Sequence, residues 1–157
     1  FAKNVHNIKE NVVNNFKKLK SKYKKISAYG SPAKATTSLN FFGIDNSYID
    51  YTIEDNELKN GKIIPGVNIP IRNKEYCLNN LPSVIVVLAW NFIDDIKRNN
   101  QSLIDMGVIF ISIKDLQSKD FKIVEENQKN LHATVQDKSQ THLCAFHRLG
   151  LHNAQCH

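Results

Sequence analysis

Phe1, Val5, Ile8, Val12, Phe16 and Leu19 recur at steps of three and four residues, which places them on one face of a helix. The pattern predicts an amphipathic helix over residues 1 to about 21, with Lys3, Asn7, Asn14, Asn15 and Lys18 on its polar side. A short apolar run, Ile26 to Tyr29, follows, bounded by lysines before it and Gly30 after it. It reads as a first strand. Gly30 to Lys34 make a tight turn, and helical spacing then resumes with Leu39, Phe42 and Ile44, with Gly43 as a C-cap. Tyr48 to Ile53 is rich in aromatic and β-branched residues and predicts a second strand, closed by Glu54, Asp55 and Asn56.

Residues 57–71, ELKNGKIIPGVNIPI, carry two turn pairs, Asn60-Gly61 and Pro65-Gly66, and read as a long ordered loop. Pro70 restricts Ile69 to Ile71 to a sheet edge or a non-strand position. A short helix is expected over 74–80, with Cys77 as a small buried hydrophobe. Ser83 to Trp90, SVIVVLAW, is continuously apolar rather than alternating, the pattern of a strand covered on both faces. Phe92, Ile96, Leu103 and Ile104 give one more helical face ending at Gly107, and Val108 to Ile113 is the last strand.

Strands alternating with helices favour a doubly wound, Rossmann-like α/β fold: a mainly parallel sheet of four to five strands with helices on both faces. The expected order sets the second strand beside the first, and the first beside the Ser83 strand. Their carboxyl ends then bring Gly30–Lys34, Glu54–Asn56 and Trp90–Asn91 together, in the crevice where open α/β sheets bind ligands. Glycine permits close backbone approach, and a helix start with a lysine favours an anion. The acidic residues closing the second strand suit a ribose hydroxyl, or else an exposed turn. A dinucleotide fingerprint is excluded, because the loop has one glycine where that motif needs three.

Composition narrows the classes. A chain of 157 residues with 41% hydrophobic and 23% charged residues suits one soluble globular core. The longest apolar run, Val84 to Trp90, is far short of the roughly 20 residues of a membrane span. The N-terminus lacks the apolar region of a signal peptide, and a start at Phe1 suggests a fragment or a processed end. Three cysteines, Cys77, Cys144 and Cys156, make no disulfide framework and fit a reducing, cytoplasmic compartment. The net charge of +6 owes much to Lys17, Lys18, Lys20, Lys22, Lys24 and Lys25, a solvated helix face and turn. No aromatic interleaving or reader motif points to nucleic acid. The domain is expected over residues 1–117. A tail over 118–157 gathers His142, Cys144, His147, His152, Cys156 and His157. These are zinc-ligand types, with His147, His152, Cys144 and Cys156 as candidates, but no CxxC pair is present. A short amphipathic helix or a non-native extension is the plainer reading.

Four stretches, taken together, carry a resemblance: Tyr29-Gly30-Ser31-Pro32-Ala33-Lys34 with Thr37 to Asn40; Asp55-Asn56-Glu57-Leu58-Lys59-Asn60-Gly61; Pro65-Gly66 with Ile69-Pro70-Ile71; and Ala89-Trp90-Asn91. In this order and spacing, over residues 1 to about 115, the chain resembles the C-terminal domain of S-adenosylmethionine-dependent C-methyltransferases that act on nucleotide-linked deoxysugars. Ala35 stands where the family usually has glycine, Glu57 where it has proline, and Glu54 or Asp55 where it has aspartate. The resemblance implies a second Rossmann-like unit that helps to enclose the sugar nucleotide, with S-adenosylmethionine and the catalytic residues held by another domain in cis or in trans. The implied site is Gly30, Ser31, Lys34, Asp55, Asn56, Trp90 and Asn91. Lys34 and exposed backbone N–H groups would take the diphosphate and Ser31 would give one hydrogen bond. Asp55 or Asn56 would take sugar or ribose hydroxyls, Trp90 would form an apolar wall and Asn91 a polar contact. Each has a plainer alternative: Lys34 solvated, Trp90 in the core, Asn91 as an N-cap ahead of Asp94 and Asp95. Little or no methyl transfer is expected from the chain alone. A non-enzymatic binding or assembly module is the second reading.

Overall fold

The computed structural model describes residues 2–123. The tail candidates His147, His152, Cys144 and Cys156 lie outside them. The chain runs α1 (Ala2–Lys22), β1 (Ile26–Tyr29), α2 (Ala33–Phe42), β2 (Thr52–Ile53), β3 (Ile63–Ile64), β4 (Ile69–Arg72), α3 (Lys74–Asn79), β5 (Val84–Val87), α4 (Ile93–Asn99), α5 (Gln101–Asp105) and β6 (Ile109–Ser112). Short 3-10 turns sit at Glu57–Lys59, Trp90–Phe92 and Asp115–Gln117. One sheet joins the strands in the order β3-β4-β2-β1-β5-β6. Every pairing is parallel except β3 with β4. The fold is the expected Rossmann-like α/β sheet, one antiparallel edge strand larger.

The continuous apolar runs are explained by two cores. Ile26, Ala28, Val84, Val86, Ile109 and Ile111 pack with Val12, Phe16 and Leu19 of α1 and Ala35, Leu39 and Phe42 of α2. Alternate strand residues Tyr29, Ile85, Val87 and Phe110 pack on the other face with Cys77 of α3 and Leu103 of α5. Burial pushes the Cys77 thiol above its ordinary pKa, so it behaves as an apolar filler. The helix after β1 therefore covers one face and the helices after β5 cover the other.

Several local expectations are corrected. Tyr48 and Ile49 are not strand: their N–H groups donate to the Asp45 carbonyl in a turn, and pairing with β1 begins where Asp50 N–H donates to the Ile26 carbonyl. The segment 57–71 is a 3-10 turn followed by a β-hairpin, not the long ordered loop expected. Its strand β4 lies inside the sheet despite Pro70. Pairing with β2 starts only at Ile71, so that ladder does not call on the N–H that Pro70 lacks. The helix after Trp90 is broken into α4 and α5 at Asn100, whose amide turns back to the Ile96 carbonyl at 2.7 Å. Asn15 is not on the outer face of α1. It is 2% exposed and donates to the carbonyls of Leu116 at 2.9 Å and Ser118 at 2.8 Å. These carbonyls belong to the last 3-10 turn and its exit, which lack helical partners and need a donor.

The hairpin is fastened to α2. At Gly66, φ is +83°, and a Cβ there would lie 2.0 Å from Asn40 Oδ1. Asn40 Nδ2 donates to the Pro65 carbonyl at 3.0 Å and to the Thr36 carbonyl at 2.8 Å. Only a residue without a side chain lets that amide sit so close. Gly43 ends α2 in the left-handed conformation, as expected.

Candidate functional site

A parallel sheet whose chain winds one way through β1–α2–β2 and the other way through β5–α4–β6 has its switch point between β1 and β5. The carboxyl ends there lead into Gly30–Pro32 and Leu88–Phe92. A cleft of about 240 Å³ opens at this place, lined by Pro32, Lys34, Leu88, Ala89, Trp90, Asn91 and Phe92. A smaller one of about 70 Å³ adjoins it through Lys34, Leu88 and Trp90 and reaches Ser38, Ile113 and Gln117. Lys34, Trp90 and Asn91 are thus brought together. Trp90 is 45% exposed and Phe92 61%, so Trp90 is a wall and not core. Asn91 lies within the 3-10 turn, and Phe92 holds the N-cap position of α4 without a side-chain cap. Among the described residues, no hydrogen bond or ion pair engages the Lys34 ammonium.

The other named residues form two separate groups on the β1–β2 side. Gly30 has φ +86°, donates its N–H to the Ile53 carbonyl at 2.8 Å and faces Ala89 across the switch point. Ser31 gives both its N–H and its hydroxyl to Glu54 Oε2, at 3.0 and 2.5 Å. Lys59 closes this knot, its ammonium 3.2 Å from the Ser31 carbonyl and 3.4 Å from Glu54 Oε2. Burial raises the Glu54 pKa, but the Ser31 hydroxyl, the Asn56 N–H and the Lys59 ammonium outweigh it and hold the carboxyl below its usual range. Asn56 caps the 3-10 turn, accepting from Leu58 N–H at 3.0 Å. Asp55 turns to the opposite face, where Tyr29 OH donates to its carboxylate at 2.8 Å. Burial is the main cause pushing the Tyr29 pKa up to about 12, and Asp55 adds to it. Tyr29 therefore stays a donor at ordinary pH.

Glu54 and Asp55 follow β2, with Glu54 paired to Lys59, whereas Lys114 follows β6 and Lys34 lines the clefts with Leu88 and Trp90. Lys114 Nζ lies 4.6 Å from the centre of the Trp90 ring, a cation–π distance. Lys114, Gln117 and Lys59 were not singled out from the pattern of residues. The rule that directed attention to the ends of β1 and β5 would have found Lys114 if applied to β6. Among the described residues, no group of three His, Cys, Asp or Glu side chains is placed to hold a metal ion, and no helix is long and apolar enough to cross a membrane.

Comparison with known proteins agrees with this architecture. Over 88 residues the chain is 33% identical to the C-methyltransferase NovU of Streptomyces niveus, an alignment covering 56% of the chain and 21% of that protein. The chain thus spans about a fifth of that relative's length. Residues 1–113 match the model of the C-methyltransferase C-terminal domain, and the chain belongs to that family.

Proposed function

We propose that this chain is the substrate-facing C-terminal domain of an S-adenosylmethionine-dependent C-methyltransferase. In this reading it holds a nucleotide-diphosphate sugar for a methyltransferase domain supplied in cis or in trans. The observation that carries the reading is the switch-point cleft, where Lys34, its ammonium engaged by no described residue, stands beside an exposed indole, Trp90, and an amide, Asn91. A cation, a flat apolar surface and a neutral polar group are what a phosphorylated, ring-containing ligand needs. At about 240 Å³ the cleft is below the roughly 300–1,000 Å³ of complete ligand sites. It suits one side of a ligand, with the rest covered by another surface.

S-adenosylmethionine is the methyl donor that the family implies for the complete enzyme. The residues here do not fit it. The turn after β1 has a single glycine, and Glu54, at the β2 end where a ribose-binding carboxylate would stand, is already engaged by Ser31 and Lys59. The contribution of this chain is to bind and orient. Lys34 neutralises phosphate, Trp90 and Phe92 exclude water from one side, and Asn91 offers an amide.

Calorimetric titration of the purified chain with a thymidine-diphosphate sugar, and separately with S-adenosylmethionine, tests this. Binding of the sugar nucleotide alone is expected, weakened roughly tenfold or more in Lys34→Ala, since a hydrogen bond to a charged group contributes about 1.5–3 kcal/mol. Binding of S-adenosylmethionine instead, or methyl transfer to the sugar by the purified chain, would overturn the reading.

A further inference from the structure

The position an anion would first be given is the turn after β1, where backbone N–H groups meet the start of a helix. That position is already filled. The Glu54 carboxylate accepts from both the N–H and the hydroxyl of Ser31, and Lys59 neutralises it. A phosphate arriving there would have to displace a carboxylate that Ser31 and Lys59 hold by hydrogen bonds, or else sit against its charge.

The opposite wall has the reverse character. The residues lining the two adjoining clefts include no Asp or Glu. Lys34 lines both. Lys114, exposed at the end of β6, holds its ammonium over the Trp90 ring, which also lines both. Lys34 and Trp90 line the same clefts and Lys114 lies over that indole, and among the described residues neither lysine is in an ion pair. Among the described residues the Lys114 ammonium has only the ring for a partner, a weaker attraction than a phosphate oxygen offers.

We infer that Lys34 and Lys114, at Trp90, form the diphosphate subsite of this crevice, and that the Glu54–Ser31–Lys59 knot keeps phosphate off the β1–β2 side. The inference rests on the proposed function for the identity of the ligand. It adds Lys114 as a binding residue and orients the ligand, with phosphates toward β5–β6.

The chain has a single tryptophan, so Trp90 emission reports directly on the site. Fluorescence and calorimetric titrations with thymidine diphosphate would be run on the wild-type chain, Lys34→Ala, Lys114→Ala and Glu54→Gln, with circular dichroism to check that each is folded. The expected result is a saturable change in Trp90 emission, a loss of affinity of roughly tenfold in each lysine variant, and less than about a threefold change in Glu54→Gln. If Lys114→Ala binds like wild type while Glu54→Gln binds tenfold or more tightly, the phosphate uses the Ser31 turn. The subsite is then wrong, although the substrate-facing reading stands. If neither thymidine diphosphate nor the thymidine-diphosphate sugar binds the wild-type chain, both fail.

Discussion

Replacing Gly66 by alanine should destabilise the domain in a way that can be traced to one side chain. Gly66 has φ +83°, and an added Cβ would lie 2.0 Å from Asn40 Oδ1 and 2.9 Å from its Cγ. Placing an L-residue in the left-handed region costs about 1–2 kcal/mol. The methyl group also forces Asn40 away from the Pro65 carbonyl, a bond with a net contribution of about 0.5–1.5 kcal/mol. The sum is about 2–3 kcal/mol, or roughly 8–12 °C in Tm for a domain of this size. Urea and thermal unfolding followed by circular dichroism would measure it for Gly66→Ala, Asn40→Ala and the double variant. Since Asn40→Ala removes both the bond and the clash, the double variant should be about 1 kcal/mol more stable than the two single losses added together. An additive cycle, or a loss below about 0.5 kcal/mol in Gly66→Ala, would refute the steric argument. The result bears on the site, because the hairpin turn braces α2, and α2 carries Lys34.

Asn15→Ala should cost about 2–4 kcal/mol, since it leaves the carbonyls of Leu116 and Ser118 without their donor. Asn15→Asp should not restore the loss in a urea titration, because a carboxylate cannot donate. The lowered pKa of Glu54 means that its contribution to stability is complete above the ordinary glutamate range and lost as pH falls through the folded value. The Tm of the wild type should therefore fall more steeply than that of Glu54→Gln below about pH 4.5, and parallel curves would remove Glu54 as the cause. Tyr29, raised to about 12 mainly by burial, contributes stability that is complete below the ordinary tyrosine value of about 10 and lost as pH rises toward 12. Ultraviolet titration should show one late-ionising tyrosine missing from Tyr29→Phe, and an unchanged alkaline titration would contradict the assignment.

Much of this protein was determined by sequence alone. The apolar spacing in α1, the four-residue strand Ile26–Tyr29, the unbroken run around Val84–Val87 and the left-handed Gly43 each follow from local rules, because periodicity and glycine conformation act within a few residues. From these came the doubly wound sheet, its central order and the meeting of Lys34, Trp90 and Asn91 at the switch point. Long-range packing sets the rest, where distant segments compete for one partner. Asn15 reads as solvent-facing until the turn over Asp115–Gln117 brings carbonyls to it. Residues 57–71 read as a loop because the strand partner of Ile69–Arg72 lies in β2, outside the local pattern. Ser31 and Asp55 are typical ligand-binding types, yet Glu54 has taken the first and Tyr29 the second. Side-chain hydrogen bonds form between residues more than 20 positions apart, and which donor reaches which carboxylate depends on strand register and crest geometry. That dependence is why the residues at the crevice could be named from the chain, but which of them are already engaged by one another could not.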